Sequence, residues 1–74
     1  MKSAQEGPFV LSVVALLSDA PDHSLVRGQV GTVLEELDPV TLLVEFADDE
    51  GTPYALVPCR RSDLLTLHYT AEAA

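Results

Sequence analysis

Between residues 40 and 46 the apolar side chains fall on every second position, Val40, Leu42, Val44 and Phe46, with Thr41, Leu43 and Glu45 between them. A period of two belongs to a strand with one face toward a core. This segment therefore predicts a strand over Val40–Phe46, with Leu43 left on the other face for an exposed patch or a subunit contact. Upstream, Phe9–Leu17 carries a single polar residue, Ser12. Its apolar positions do not follow helical spacing, and Val10, Val13 and Val14 are β-branched, so it predicts a strand with two apolar faces, sandwiched in a barrel or covered by a loop or another subunit. A second strand is expected from about Val30 to Glu36. Gly28 and Gly31 precede or open it, where the missing Cβ permits positive φ, a bulge or close backbone approach. Leu37-Asp38-Pro39 is expected to break it. A fourth strand is predicted over Thr52–Val57, with Pro53 tolerated near its start or on an edge and Pro58 closing it. A last strand is predicted over Leu64–Tyr69. The connections read as a turn cluster at Asp19–Ser24 around Pro21, a hairpin at Ala47–Gly51 with Gly51 left-handed, and a tight or 3₁₀ turn at Arg60–Asp63.

Short strands joined by turns, with no segment of 3.6 periodicity, predict an all-β fold: a small five-stranded SH3-like barrel over residues 9–69. Residues 1–8 are polar, end in Gly-Pro and read as a disordered lead-in whose truncation costs little; residues 70–74 read as a frayed tail. A five-stranded OB fold is the competitor, and it normally takes more than the roughly 60 residues of the predicted barrel. At Thr52–Pro58 the register stays open, because Tyr54, Leu56 and Val57 fit either face. Seventy-four residues leave no material for a second core.

Four Lys and Arg against twelve Asp and Glu give a formal net charge of −8. Such a surface repels phosphate, which disfavours nucleic acid as a partner. With 47% hydrophobic residues the chain is too apolar for intrinsic disorder. The single cysteine, Cys59, has no partner for an intrachain disulfide, so a cytoplasmic location is expected. The apolar run Phe9–Leu17 is about half of the roughly 20 residues that span a bilayer, so no membrane partner is expected. A signal-peptide reading, with Lys2 before the run and Ser18-Asp19-Ala20 as its cleavage site, is opposed by Glu6 in the leader and by Pro21 just after the cut.

The element Gly28-Gln29-Val30-Gly31-Thr32-Val33 follows a strand containing Val14-Ala15-Leu16-Leu17. Farther on come Val44-Glu45-Phe46, Asp49-Glu50-Gly51, Tyr54-Ala55 and Arg61-Ser62-Asp63-Leu64. In combination these resemble a bacterial family of small proteins known as domain of unknown function 4926, over nearly the whole of the expected barrel. The Gly-x-x-Gly-Thr-Val element alone is less specific, since it resembles KOW-type barrels and the nitrile-hydratase β-subunit barrel as well. The resemblance implies a fold and carries no activity with it. Pro39, Pro53, Arg60 and Arg61 depart from the family pattern and leave the local strand ends open.

No set of residues reads as a catalytic centre. Asp22-His23-Ser24 has the letters of a hydrolase triad, but consecutive side chains fan outward and no oxyanion-hole glycine motif follows the serine. His23, His68 and Cys59 lack zinc spacing. Asp48-Asp49-Glu50-Gly51 puts adjacent carboxylates on a hairpin tip, where a calcium loop alternates its ligands over about twelve residues. No metal and no cofactor is expected. Cys59 beside Arg60 and Arg61 has cations that would activate a thiolate, against the plainer reading of a small apolar side chain at a strand end. Arg27, Arg60 and Arg61 would form a basic spot, but stacking platforms need exposed aromatics and the chain has only Phe9, Phe46, Tyr54 and Tyr69.

The expected function is therefore a non-enzymatic, acidic interaction module that docks on a protein partner, a basic one in the manner of an antitoxin or immunity protein, or associates as a homodimer, through an apolar sheet face or a free edge. Leu43 and whichever face of Phe9–Leu17 lies outside would carry the contact, with Glu35, Glu36, Asp38, Asp48, Asp49 and Glu50 steering the partner. The alternative is an accessory KOW-like barrel of a nucleic-acid or enzyme complex. Gly28, Gly31 and Gly51 are assigned to turns and close approaches.

Overall fold

Alternation is cleanest in the third strand, and it shapes the whole sheet. The computed structural model describes residues 7–48 and 50–68. Its strands are β1 (Val13–Leu16), β2 (Val30–Asp38), β3 (Thr41–Ala47), β4 (Pro53–Arg60) and β5 (Leu64–Thr66), with 3₁₀ turns at Pro21–His23 and Arg61–Asp63. All pairings are antiparallel, in the order β4-β3-β2-β1-β5. The all-β expectation with five strands therefore holds. Closure into a barrel does not: β4 and β5 stand at opposite ends of the order, and among the described residues they do not pair. The Arg61–Asp63 turn sends the chain across to β1, and the short β5 has its ladder there.

One face of the sheet is the core. Leu42, Val44 and Phe46 of β3 pack with Val33, Val14, Leu16, Val57, Cys59 and Leu64, and Leu25 from the β1–β2 connection covers them. The register of β4 is settled by this packing. Val57 lies opposite Val44 on the buried side, and Leu56 lies opposite Glu45 on the exposed side. Gly31 sits where β2 crosses β3. A Cβ there would stand 2.8 Å from the Glu45 carbonyl oxygen, from a Phe46 ring carbon and from a Val44 methyl, so only glycine lets the strands approach. Gly28 and Gly51 have φ of +90° and +83°, the left-handed region that glycine enters without Cβ strain.

Several boundaries differ from the sequence reading. Val40 is 63% exposed rather than a core residue, because Asp38 Oδ1 accepts its N–H at 2.9 Å and fixes it in the β2–β3 turn. β2 runs on through Leu37 and Asp38, and the break comes at Pro39. Of Phe9–Leu17 only Val13–Leu16 is strand. Phe9–Ser12 is a turn: Ser12 N–H donates to the Phe9 carbonyl at 2.8 Å, Phe9 N–H donates to Ser12 Oγ at 2.9 Å, and Leu11 is left-handed at φ +74°. Pro58 lies inside β4 rather than closing it, tolerated because β4 is an edge strand. β5 ends at Thr66, and Tyr69 lies outside the described residues. Pro8, read above as lead-in, is buried, and its carbonyl accepts a hydrogen bond from Arg61. The remainder of the lead-in, 1–6, and the tail 70–74 lie outside the described residues.

Candidate functional site

Residues directly opposite each other across a ladder share a face, so the outer side of the sheet can be read row by row. One row runs Val13, Thr32, Glu45, Leu56, and the next runs Glu35, Leu43, Pro58. Leu43 is half-buried by these neighbours, while Leu56 is 55% exposed and Pro58 is exposed. The outer face at this end thus carries a small apolar patch, Leu43, Pro58 and Leu56, with the Glu35 and Glu45 carboxylates as its cross-strand neighbours. Asp38 and Arg60 flank Thr41 in the adjoining row.

The acidic residues expected to act together are split. Glu35, Glu36 and Asp38 belong to the β2–β3 hairpin, whereas Asp48 and Glu50 lie at the far end of β3, roughly 16 Å from Leu43 at the rise of an extended strand. Asp48 is occupied in building its turn. Its Oδ1 accepts the N–H groups of Glu50 and Thr52, both at 2.9 Å, and its carbonyl accepts that of Gly51. Glu50 is exposed, and Asp49 lies outside the described residues. Glu36 takes the core-side position opposite Leu42 and pairs with Arg61 at 3.0 Å.

Arg61 was invisible as a structural residue in the sequence, because its partners lie far along the chain. Its Nε donates to the Pro39 carbonyl at 3.1 Å, Nη1 to the Pro8 carbonyl at 2.8 Å and Nη2 to Glu36 Oε2 at 3.0 Å. Its backbone N–H donates to the Val40 carbonyl at 2.8 Å. The planar guanidinium, with donors fixed in a fork, clamps the hairpin, the start of the fold and the β4–β5 turn together. The basic spot imagined for Arg27, Arg60 and Arg61 does not form. Arg27 lines an open cleft of about 550 Å³ with Glu45 and Asp48 at one end of the sheet, and Arg60 and Arg61 line another of about 550 Å³ with Val40 at the other end.

The remaining candidates lie apart from this patch. Asp22, His23 and Ser24 are exposed, and Ser24 ends its 3₁₀ turn in the left-handed region. Among the described residues no group of three or more His, Cys, Asp or Glu could hold a metal ion. Cys59 is buried in the core with its Sγ 3.6 Å from the Val57 carbonyl. Burial, and then the Asp63 carboxylate, push its thiol above the ordinary value of 9.0, the direction opposite to an activated nucleophile. No helix among the described residues is long and apolar enough to cross a membrane.

These features define a small all-β protein whose single antiparallel sheet has one buried face and one exposed face with acidic residues beside an apolar patch. Within that class the chain belongs to the family described as domain of unknown function (DUF4926), whose model matches residues 10–66 and so takes in every strand. No curated protein and no solved structure matches the chain.

Proposed function

We propose that this protein is a non-enzymatic interaction module that docks on a basic protein partner through the outer face of β3 and β4. The observation that supports it is the placement of Leu43, Pro58 and Leu56 as neighbours on an uncovered face, with Glu35 and Glu45 beside them. An apolar centre with a charged rim gives affinity through desolvation and partner choice through the field. The formal charge of −8 extends that field beyond the patch. An antitoxin-like or immunity-like role, covering a basic surface, is the specific form of this reading. We read the architecture as SH3-like, supported by the order β4-β3-β2-β1-β5 and by the 3₁₀ turn between β4 and β5. A cytoplasmic setting accords with a lone thiol held in the core.

The test is a pull-down at low and high salt with wild type and Leu56→Lys. A stoichiometric protein that survives high salt with wild type, and is lost with Leu56→Lys at unchanged circular dichroism, is expected. Recovery of nucleic acid alone, released by salt, would transfer the function to an accessory module of a nucleic-acid complex.

A further inference from the structure

Partway along β2 the strand loses its neighbour on one side. β1 pairs with Val30, Gly31 and Thr32, and the ladder ends where Val33 N–H donates to the Ser12 carbonyl at 3.0 Å and Leu11 N–H donates to the Val33 carbonyl at 2.7 Å. The Phe9–Ser12 turn, with Leu11 left-handed, ends this pairing, and just before it the Pro8 carbonyl shares the Arg61 guanidinium with the Glu36 carboxylate. From Leu34 to Asp38 every residue is exposed, and among the described residues no backbone hydrogen bond reaches this stretch from that side. Unpaired N–H and C=O groups in a row are a template for another strand.

The other free edges are guarded. β4 carries Pro53 and Pro58, which offer no N–H, and β5 is three residues long. The Leu34–Asp38 edge has no proline, and its guard is acidic charge, Glu35, Glu36 and Asp38, which a basic strand would neutralise. Its ladder to β3 shifts register twice, between Val33 and Glu35 and between Glu36 and Asp38, which leaves Leu34 and Leu37 without a cross-strand partner. Bulges of this kind add twist and so limit any added strand to a short one.

We propose that this edge takes up a short extended segment of a basic protein as an added strand. The proposal rests on the reading of the protein as a docking module for a basic partner, and it names a second contact, distinct from the outer face. Charge selects the occupant. Glu35, Glu36 and Asp38 lie within the edge, and Arg61 pairs with only one of them, Glu36. A second copy pairing edge to edge would bring these carboxylates against their own kind. A segment alternating Lys or Arg with β-branched residues places cations near Glu35 and Asp38, puts apolar groups near Leu34 and Leu37, and completes the backbone pairing.

The experiment titrates the full chain with a fluorescent, alternating lysine–valine peptide. A second peptide has the same side chains but is N-methylated at alternate residues, and a third alternates glutamate and valine. Amide exchange across residues 34–38 is followed in parallel. Wild type is expected to bind the first peptide and to slow exchange at those amides. N-methylation, which removes backbone donors and leaves the protein unaltered, is expected to weaken binding by about tenfold or more, equivalent to one or two hydrogen bonds. Leu37→Lys is expected to do the same, and Leu65→Lys, on the exposed side of β5, to leave the titration unchanged. Equal binding of the methylated peptide, binding without slowed exchange, or no binding would each overturn the edge. Binding lost with Leu56→Lys but kept with Leu37→Lys would overturn the edge and leave the outer-face reading standing.

Discussion

The two halves of β2 share a backbone conformation and little else. From Val30 to Val33 the strand has β1 on one side and β3 on the other, and exposed, buried, half-buried and buried positions alternate. From Leu34 to Asp38 only β3 remains, the register slips twice, and no residue is buried. Both halves contain large apolar side chains, so composition does not separate them. Neighbours do. A strand position becomes core when something packs over its face, and the layer that buries Val33 no longer buries the strand at Leu34. The first half belongs to the body that stabilises the fold, and the second is exposed, with β3 as its one neighbouring strand among the described residues.

The sharpest way to break this comparison is to substitute in both regions. Phe46 lies opposite Gly31 and is fully buried, whereas Leu37 is 46% exposed. Phe46→Ala is expected to cost about 3–5 kcal/mol through lost burial and the cavity left behind. For a domain this small, that consumes most of a total near the low end of about 5–15 kcal/mol. Leu37→Ala is expected to stay within about 0.5 kcal/mol of wild type. Urea denaturation followed by circular dichroism measures both. A loss at Leu37 comparable to that at Phe46 would mean that the hairpin arm is part of the cooperative core.

The arm is nonetheless tied to the body, and Arg61 ties it. With a side chain 23% exposed and bonds to Pro8, Pro39 and Glu36, Arg61→Ala is expected to cost about 1–3 kcal/mol, the range for losing charge-assisted hydrogen bonds. Arg61→Lys should restore only part of this, because an ammonium cannot fork to three acceptors in one plane. The measurement is the urea midpoint at constant slope, with amide exchange at Val40 as a local reporter. Full recovery by lysine would reduce the clamp to a point charge.

Arg61 also shows where sequence reading stops. Period-two alternation located Leu42, Val44 and Phe46 in the core, and Gly51 was placed correctly as a left-handed turn residue, because both are local properties. Gly28 and Gly31 read together as positions of positive φ, a bulge or close approach, and the structure divides them, positive φ at Gly28 and close approach at Gly31. The errors came where a long-range partner decides. Val40 continues the alternation but is taken into the turn by Asp38, and Pro58 looks terminal until β4 is known to be an edge. At the candidate site, Leu43 and Glu35 were brought together as neighbours, while Asp48 was spent on its own turn. That no described strand pairs beyond β2 at Leu34–Asp38 has no signal in the sequence, since it depends on where β1 leaves β2.

The smallest effect sharpens the boundary itself. The row Glu36, Leu42, Cys59 runs from the exposed arm into the buried body, opposite one another across β2, β3 and β4. Burial, followed by the Asp63 carboxylate, raises the Cys59 thiol above 9.0. Between the unfolded and the folded value the unfolded chain has already lost the thiol proton that the native protein keeps. The unfolded state therefore binds fewer protons there, and stability falls as pH rises. The contribution is fully present below pH 9.0 and is lost as the pH climbs through the raised folded value. Wild type and Cys59→Ala, compared by urea midpoint across that window, should converge as pH increases, and a thiol reagent should react slowly with native protein at neutral pH. Parallel pH curves with fast labelling would place Cys59 in solvent, and with it the limit of the body would move inward to Leu42.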